Sequence, residues 1–224
     1  MAYVLGLWWA DGNIYRDKRC ARGGSVSFSS ADFEHLESVN KLIGGKYRVK
    51  KRRGENTYDL VISRYEAYLD IKAKGGEEAK SLTCKFPDVP AKFIREFCRG
   101  VVDGDGSLFW NSVRNKSGVS TSPVLAVCGT VDFLSKFSSQ VEIHSGIPSS
   151  KAYVAKDKIP FIRYSGLRAK CLSFWLYQNS EGACLQRKKH LAHDFCAWHP
   201  KKKGFKKSQI TNEMEKKYAQ ILYS

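Results

Sequence analysis

A chain of 224 residues can hold one large domain or two small ones, and 42% hydrophobic content is enough for a packed core. A net charge of +16 points to a polyanionic partner, with nucleic acid ahead of a membrane surface. No apolar run approaches the roughly 20 residues of a bilayer span, no basic leader precedes the first apolar stretch, and seven cysteines without short regular spacing suggest reduced thiols, so a protein that is intracellular and not secreted is expected.

In chain order, residues 1–10 read as an apolar helix, followed by short strands at 14–19 and 25–29 around Gly23-Gly24. Ser30 is placed to cap a helix over 31–43, which carries Phe33, Leu36, Val39, Leu42 and Ile43 at helical spacing and stops at Gly44-Gly45. In residues 46–53, Lys46, Arg48, Lys50 and Arg52 alternate with Tyr47 and Val49, which in a strand gives one basic and one inward face. A solvated edge strand guarded by charge is the other reading of that pattern. A return strand at 57–63 and a helix at 65–71 complete a unit of helix, two strands, helix, two strands, helix. Residues 75–90, with Gly75-Gly76, Pro87 and Pro90, form a linker.

The pattern then restarts. A helix over 91–104 leads to strands at 107–113 and 124–128, and Thr130 takes a cap position with Asp132-Phe133 repeating Asp32-Phe33. Gly146 stands where Gly44 stood, strands follow at 151–155 and 161–164, and a helix covers 167–177. Eight strands in two similar sets predict two antiparallel sheets, each backed by helices, in a pseudo-two-fold monomer.

Both units begin with the same signature. Val4-Leu5-Gly6-Leu7-Trp8-Trp9-Ala10-Asp11-Gly12 lies in register with Cys98-Arg99-Gly100-Val101-Val102-Asp103-Gly104-Asp105-Gly106. In each copy two small residues sit four apart, Gly6 with Ala10 and Gly100 with Gly104, so they share a helix face that lets a partner backbone come close. The glycine after each aspartate suits a left-handed helix stop. Two such helices packed face to face would end together and hold Asp11 beside Asp105.

These residues resemble the LAGLIDADG homing endonucleases in their single-chain, two-motif form. The departures are Trp9 at the sixth motif position, where the other copy has Asp103, and Arg99 at the usually small second position. The resemblance implies an α+β fold of two αββαββα repeats, 1–74 and 91–199, joined by the 75–90 linker and followed by a basic tail at 200–224. Its sheets would form a saddle over double-stranded DNA, with strand side chains in successive major grooves. It further implies that Asp11 and Asp105 bind metal, that the carbonyls of Ala10 and Gly104 are secondary ligands, and that a basic residue serves each half, mapped to Lys80 and Lys188. A solvated lysine is the plain alternative at both places.

Divalent metal held between carboxylates and phosphates supplies what phosphodiester hydrolysis needs, and Mg²⁺ shares its shell readily with phosphate and water. Mn²⁺ is expected to substitute, and Ca²⁺ to support binding without cleavage. Candidate DNA contacts in the first half are Arg16, Lys18, Arg19, Arg22 and the basic strand of Lys46, Arg48, Lys50 and Arg52. In the second half they are Arg114, Lys116, Lys151, Lys156, Lys158 and Arg163. Non-identical halves predict a non-palindromic target, and the resemblance implies that the target is long and that a monomer makes a staggered double-strand cut. Cys184, His190, His193, Cys196 and His199 lack the spacing of zinc pair sets and are expected to be ordinary helix positions. Rivals on the same fold are an intron maturase acting on RNA, a DNA-binding protein that no longer cuts, and the nuclease domain of an intein.

Overall fold

Glycine at a helix contact removes the side chain that would hold two backbones apart, and here it brings two helices together. The computed structural model describes residues 1–78, 80, 83–115, 118–156 and 158–199. Helix α1 (Ala2–Asp11) packs along α4 (Ile94–Asp105), which is entered through a short 3₁₀ turn at Ala91–Phe93. A Cβ on Gly6 would strike the Phe97 carbonyl, and one on Gly100 would strike the Tyr3 carbonyl. Gly104 lies against Ala10. Each helix thus presents the flattened face that its small residues predict.

The first sheet holds β1 (Gly12–Asp17), β2 (Gly23–Ser30), β3 (Val49–Lys51) and β4 (Tyr58–Ile62) in the antiparallel order β1-β2-β4-β3. Helices α2 (Phe33–Leu42) and α3 (Tyr65–Ala73) accompany it. The second sheet is β5 (Gly106–Asn115), β6 (Gly118–Cys128) and β7 (Phe161–Ser165), with α5 (Val131–Ser145), α6 (Leu167–Tyr177) and α7 (Gln186–Cys196). One face of each sheet joins a continuous buried cluster with the helices, through Ile14, Phe28, Leu60, Leu36 and Val39 in the first half. Leu125, Val127, Ile162, Leu134 and Phe137 do the same in the second. Antiparallel partners share a face and neighbours alternate, so the opposite faces point away from this cluster, and no helix of the described residues joins it from that side.

Three expectations are corrected. The described residues form seven strands, because the segment expected as a strand at 151–155 makes only a bridge, Tyr153 to Phe161. Side chains take up the backbone groups ahead of it: Ser138 Oγ accepts from Ser150 N at 2.6 Å, and Arg168 donates to the Pro148 and Ser149 carbonyls. Next, β3 covers three residues rather than the whole basic run. The Asn40 amide brackets Tyr47, donating to its carbonyl at 2.6 Å and accepting from its N–H at 3.2 Å, so the chain entering β3 belongs to α2. Finally, Asp32 caps α2, accepting from His35 N, while Ser30 Oγ accepts from Asp32 N and shapes the approach. The Thr130 cap and the left-handed Gly146 stop stand as expected.

Candidate active site and nucleic-acid interface

Asp11 and Asp105 end α1 and α4 at the same end of the seam. A Cβ built on Gly104 would lie 3.1 Å from Asp11 Oδ2, so the Asp11 carboxylate leans across onto the other motif helix. Burial of the helix ends raises the pKa of both aspartates. For Asp105 the negative charge of Asp11 adds to it, against the pull of Lys80 and Lys188, and the result is about 6. These are two like charges close enough to disfavour each other.

The glycines after them are not left-handed. Gly12 (φ −83°) and Gly106 (φ −89°) are extended and lead straight into β1 and β5. They are glycines for space: a Cβ on Gly12 would enter the Trp8 ring, and one on Gly106 would strike the Val102 carbonyl.

Lys80 and Lys188 are buried, at 8% and 4% exposure, which removes the solvated reading. Lys80 Nζ donates to the carbonyls of Ala10 at 3.1 Å and Gly12 at 2.6 Å. Lys188 Nζ donates to the carbonyls of Val102 and Asp103, both at 2.7 Å, and of Gly106 at 2.6 Å. Each ammonium therefore gathers carbonyls at the end of one motif helix, where the dipole is negative. Burial lowers both pKa values, that of Lys188 to about 8. The two sets correspond only at Gly12 and Gly106: Lys80 also engages the Ala10 carbonyl, whereas Lys188 takes those of Val102 and Asp103 and not that of Gly104.

The sixth motif position breaks the symmetry. Asp103 accepts from Tyr3 Oη at 2.8 Å, Tyr177 Oη at 2.6 Å and Leu185 N at 2.7 Å, which ties α4 to α1, to α6 and to the start of α7. Burial pushes the Asp103 carboxyl up and those three donors pull it down. His35 Nε2 lies 2.6 Å from Tyr3 Oη. Since the tyrosine's one proton points to Asp103, the imidazole donates, and burial keeps it neutral. In the other copy Trp9 donates to the Lys85 carbonyl at 2.8 Å, and Phe86 packs on Phe97 and Phe133. The linker thus fills the place of the polar network. Sequence reasoning missed Tyr3, His35 and Tyr177. The available signal was Asp103 itself, a carboxylate on a helix face with no room for water.

The metal that the resemblance implies can be tested against these residues. Two reachable carboxylates at negative helix ends, one of them raised by burial and by its neighbour, favour a hard cation. No group of three or more His, Cys, Asp or Glu capable of holding a metal occurs among the described residues. A cation here would have to complete its shell with carbonyls, water and phosphate, as Mg²⁺ does. The donor set fits. On α7, Cys196 Sγ donates to the Ala192 carbonyl, within its own helix.

On the helix-free face of the first sheet, β pairing sets Asn13 with Ser27 and Val61, Tyr15 with Ser25, and Ser29 with Asp59 and Lys50. Arg48 and Arg52 continue the alternation of Lys50, and Lys46 precedes the strand, exposed. Arg52 is already engaged: Nε and Nη2 grip Asp59 at 3.0 and 2.7 Å, Nη2 reaches Ser29 and Nη1 reaches Glu55. Arg16 falls on the opposite face, where it holds the Cys20, Ala21 and Gly23 carbonyls of its own hairpin against the Tyr65 ring. Arg19 pairs with Asp17 and Arg22 with Glu66, leaving Lys18 exposed at that turn. In the second half, Arg163 lies on the helix-free face, its guanidinium 5.9 Å from the Phe109 ring. Lys151, Lys156 and Lys158 are exposed on the segment before β7. Arg114 alternates onto the face of Leu108. Lys116 and the 200–224 tail lie outside the described residues.

This architecture is the fold of the single-chain LAGLIDADG homing endonucleases. The LAGLIDADG meganuclease I-AabMI bound to uncleaved DNA matches with TM-score 0.61 and 9% identity, over 96% of this chain and 91% of that one. The meganuclease I-SmaMI on uncleaveable DNA with a TTGT central four gives 0.59 and 13%, over 87% of both chains. I-SmaMI bound to an uncleaved DNA target in the presence of calcium ions gives 0.53 and 10%, over 87% and 96%. By sequence, no family model and no curated protein matches.

Proposed function

We propose that this chain is a monomeric, metal-dependent, site-specific endonuclease that makes a staggered cut in double-stranded DNA. Its organisation would be a first repeat at 1–74, a linker at 75–90, a second repeat at 91–199 and a basic tail. The observation that carries the reading is the seam, where two aspartates from in-register motifs end adjacent helices, each helix end gathered by a buried lysine. The relatives of this fold that are bound to DNA support the substrate class.

In that reading Asp11 and Asp105, with the Gly104 carbonyl, hold Mg²⁺. The bound cation supplies neutralisation of charge on the scissile phosphates and a nucleophilic water at neutral pH. The chain's own part is geometric and electrostatic. Lys80 and Lys188 are positioning residues: they fix the helix-end carbonyls and so the directions of the two carboxylates. Their charge also reaches Asp11 and Asp105 and offsets the repulsion between them. Asp103 anchors the last turn of α4 through its three donors, and Trp9 anchors that of α1 on the linker.

The test begins with a duplex site selected from a randomised library by capture in Ca²⁺. Wild type should cleave it in Mg²⁺ and stop on chelation. Asp11→Asn and Asp105→Asn should keep wild-type affinity in Ca²⁺ or bind slightly tighter, and lose cleavage by about 100-fold or more. Cleavage of both strands by either variant at the wild-type rate removes the assignment. An uncut duplex together with faster excision of a host intron would assign a maturase instead.

A further inference from the structure

We infer that the sheet of the second repeat reads a thymine-rich half-site through the C5 methyl groups, while the sheet of the first repeat reads its half-site through charge and hydrogen bonds. The inference rests on the DNA-endonuclease reading and gives that site its sequence chemistry. Pairing of β5, β6 and β7 defines the rows of the helix-free face: Ser107 with Ala126 and Arg163, Phe109 with Val124 and Ser165, Asn111 with Ser122, and Val113 with Ser120. Among the described residues these rows carry one cation, Arg163, and no carboxylate. Phe109 is 39% exposed and Val113 52%. The corresponding rows of the first sheet hold Lys50, Asp59, Asn13, Tyr15 and serines, with Arg48 and Arg52 alongside and Val61 as their one aliphatic side chain among the described residues.

The contrast has a direct counterpart in the duplex. The thymine C5 methyl is the apolar group on the major-groove edge, and apolar side chains are its natural contacts. Asn111, in the row between Phe109 and Val113, suits the adenine edge, where an amide bonds N6 and N7 together. The β5–β6 hairpin is also longer, 10 and 11 residues against 6 and 8 for β1–β2, so its apolar pair is carried well along a groove. Exposed apolar side chains on a flat sheet invite a protein partner. The surroundings argue against one: Lys151, Lys156 and Lys158, exposed on the segment before β7, match phosphates rather than an apolar surface.

The experiment uses the full chain and the library-selected duplex, with thymines replaced by deoxyuridine in one half-site at a time, which removes only the methyl groups. Substitution in the second repeat's half should weaken binding in Ca²⁺ by about fourfold per contacted methyl, hence tenfold or more over the half. Substitution in the other half should leave affinity within about twofold. Phe109→Ser and Val113→Ser, both at exposed positions that the fold tolerates, should abolish the uracil effect in the half they read, and this also assigns the halves. A selected site whose uracil substitution costs nothing, or costs both halves alike, overturns the proposal while leaving the nuclease reading standing. Failure to select any duplex sinks both. A self-association in sedimentation that Val113→Ser dissolves would give this face to a second copy of the chain and overturn the proposal as well.

Discussion

At the scale of single residues, the seam combines chemistry that the sequence shows with chemistry it hides. Asp11 and Asp105 are legible because a carboxylate follows an apolar helix twice in the same register. The lysines are legible only as candidates. What fixes them is the set of carbonyls that each ammonium collects, and carbonyl positions are a product of tertiary folding. The glycine after each aspartate was legible in identity and misread in cause, since extended backbone needs no glycine and crowding by Trp8 and Val102 does. Burial of a carboxyl beside a second carboxylate makes a prediction here. The Asp105 carboxyl is raised from 3.8 to about 6, so between those pH values the native state holds more protons than the unfolded one. Stability of the metal-free protein therefore falls as pH rises through that window. Asp105→Asn should melt above wild type at pH 7.5 without metal, and the difference should vanish near pH 4. Solvent access screens the effect, which keeps the expected rise to about 2–4 °C. Thermal melts at both pH values decide the matter, and a variant no more stable at pH 7.5 would mean that neither burial nor Asp11 disfavours the ionised Asp105.

At the scale of elements, regular patterns were legible and competition for backbone groups was not. The motif helices, the Thr130 cap and six of the eight expected strands could be read from periodicity and capping chemistry with small shifts at their ends, except that β6 starts at Gly118, six residues before the expected 124. The run at 46–53 also holds a strand, but a short one, because nothing in its alternating pattern reveals that Asn40 will claim Tyr47. The segment at 151–155 fails as a strand for a related reason, since Ser138 and Arg168 supply the partners that a neighbouring strand would have supplied to the chain before it. Helix contact gives the second prediction. Gly6→Ala and Gly100→Ala improve helix propensity by about 1 kcal/mol, yet each Cβ meets backbone that cannot move aside. Both variants should lose about 1–3 kcal/mol in urea denaturation. Gly129→Ala, whose Cβ would meet its nearest neighbour at 3.4 Å, should stay within about 0.5 kcal/mol. Destabilisation of all three alike would mean that close approach of α1 and α4 is not what these glycines provide.

At the scale of the whole molecule, the +16 charge is a poor guide to how many cations are free to meet a polyanion. Arg16, Arg19, Arg22 and Arg52 are held by carbonyls or carboxylates of their own chain. Lys46, Arg48 and Lys50 are exposed without such partners described for them. Counting charges from the sequence overstates the electrostatic footprint of the first hairpin, and only register and pairing correct it. Binding to the selected duplex should weaken with salt along a log–log slope of about 0.9 per phosphate neutralised. Lys50→Ala and Arg48→Ala should each flatten that slope by about one phosphate, whereas Arg16→Ala should leave it unchanged. Titration of affinity between low and moderate salt measures all three, and an Arg16→Ala slope as flat as that of Lys50→Ala would put Arg16 on the DNA.

The Tyr3–Asp103 bond has a bearing on symmetry. In the register of the two motifs Tyr3 corresponds to Phe97, so a symmetric pair of second repeats would set Asp103 against a phenylalanine and leave it one donor short. Trp9, for its part, leans on a linker that two separate copies would not possess. Carried on one chain, the halves do not have to match themselves, and here each is completed by a group that only the other half or the linker supplies, so neither repeat holds the whole of its own interface.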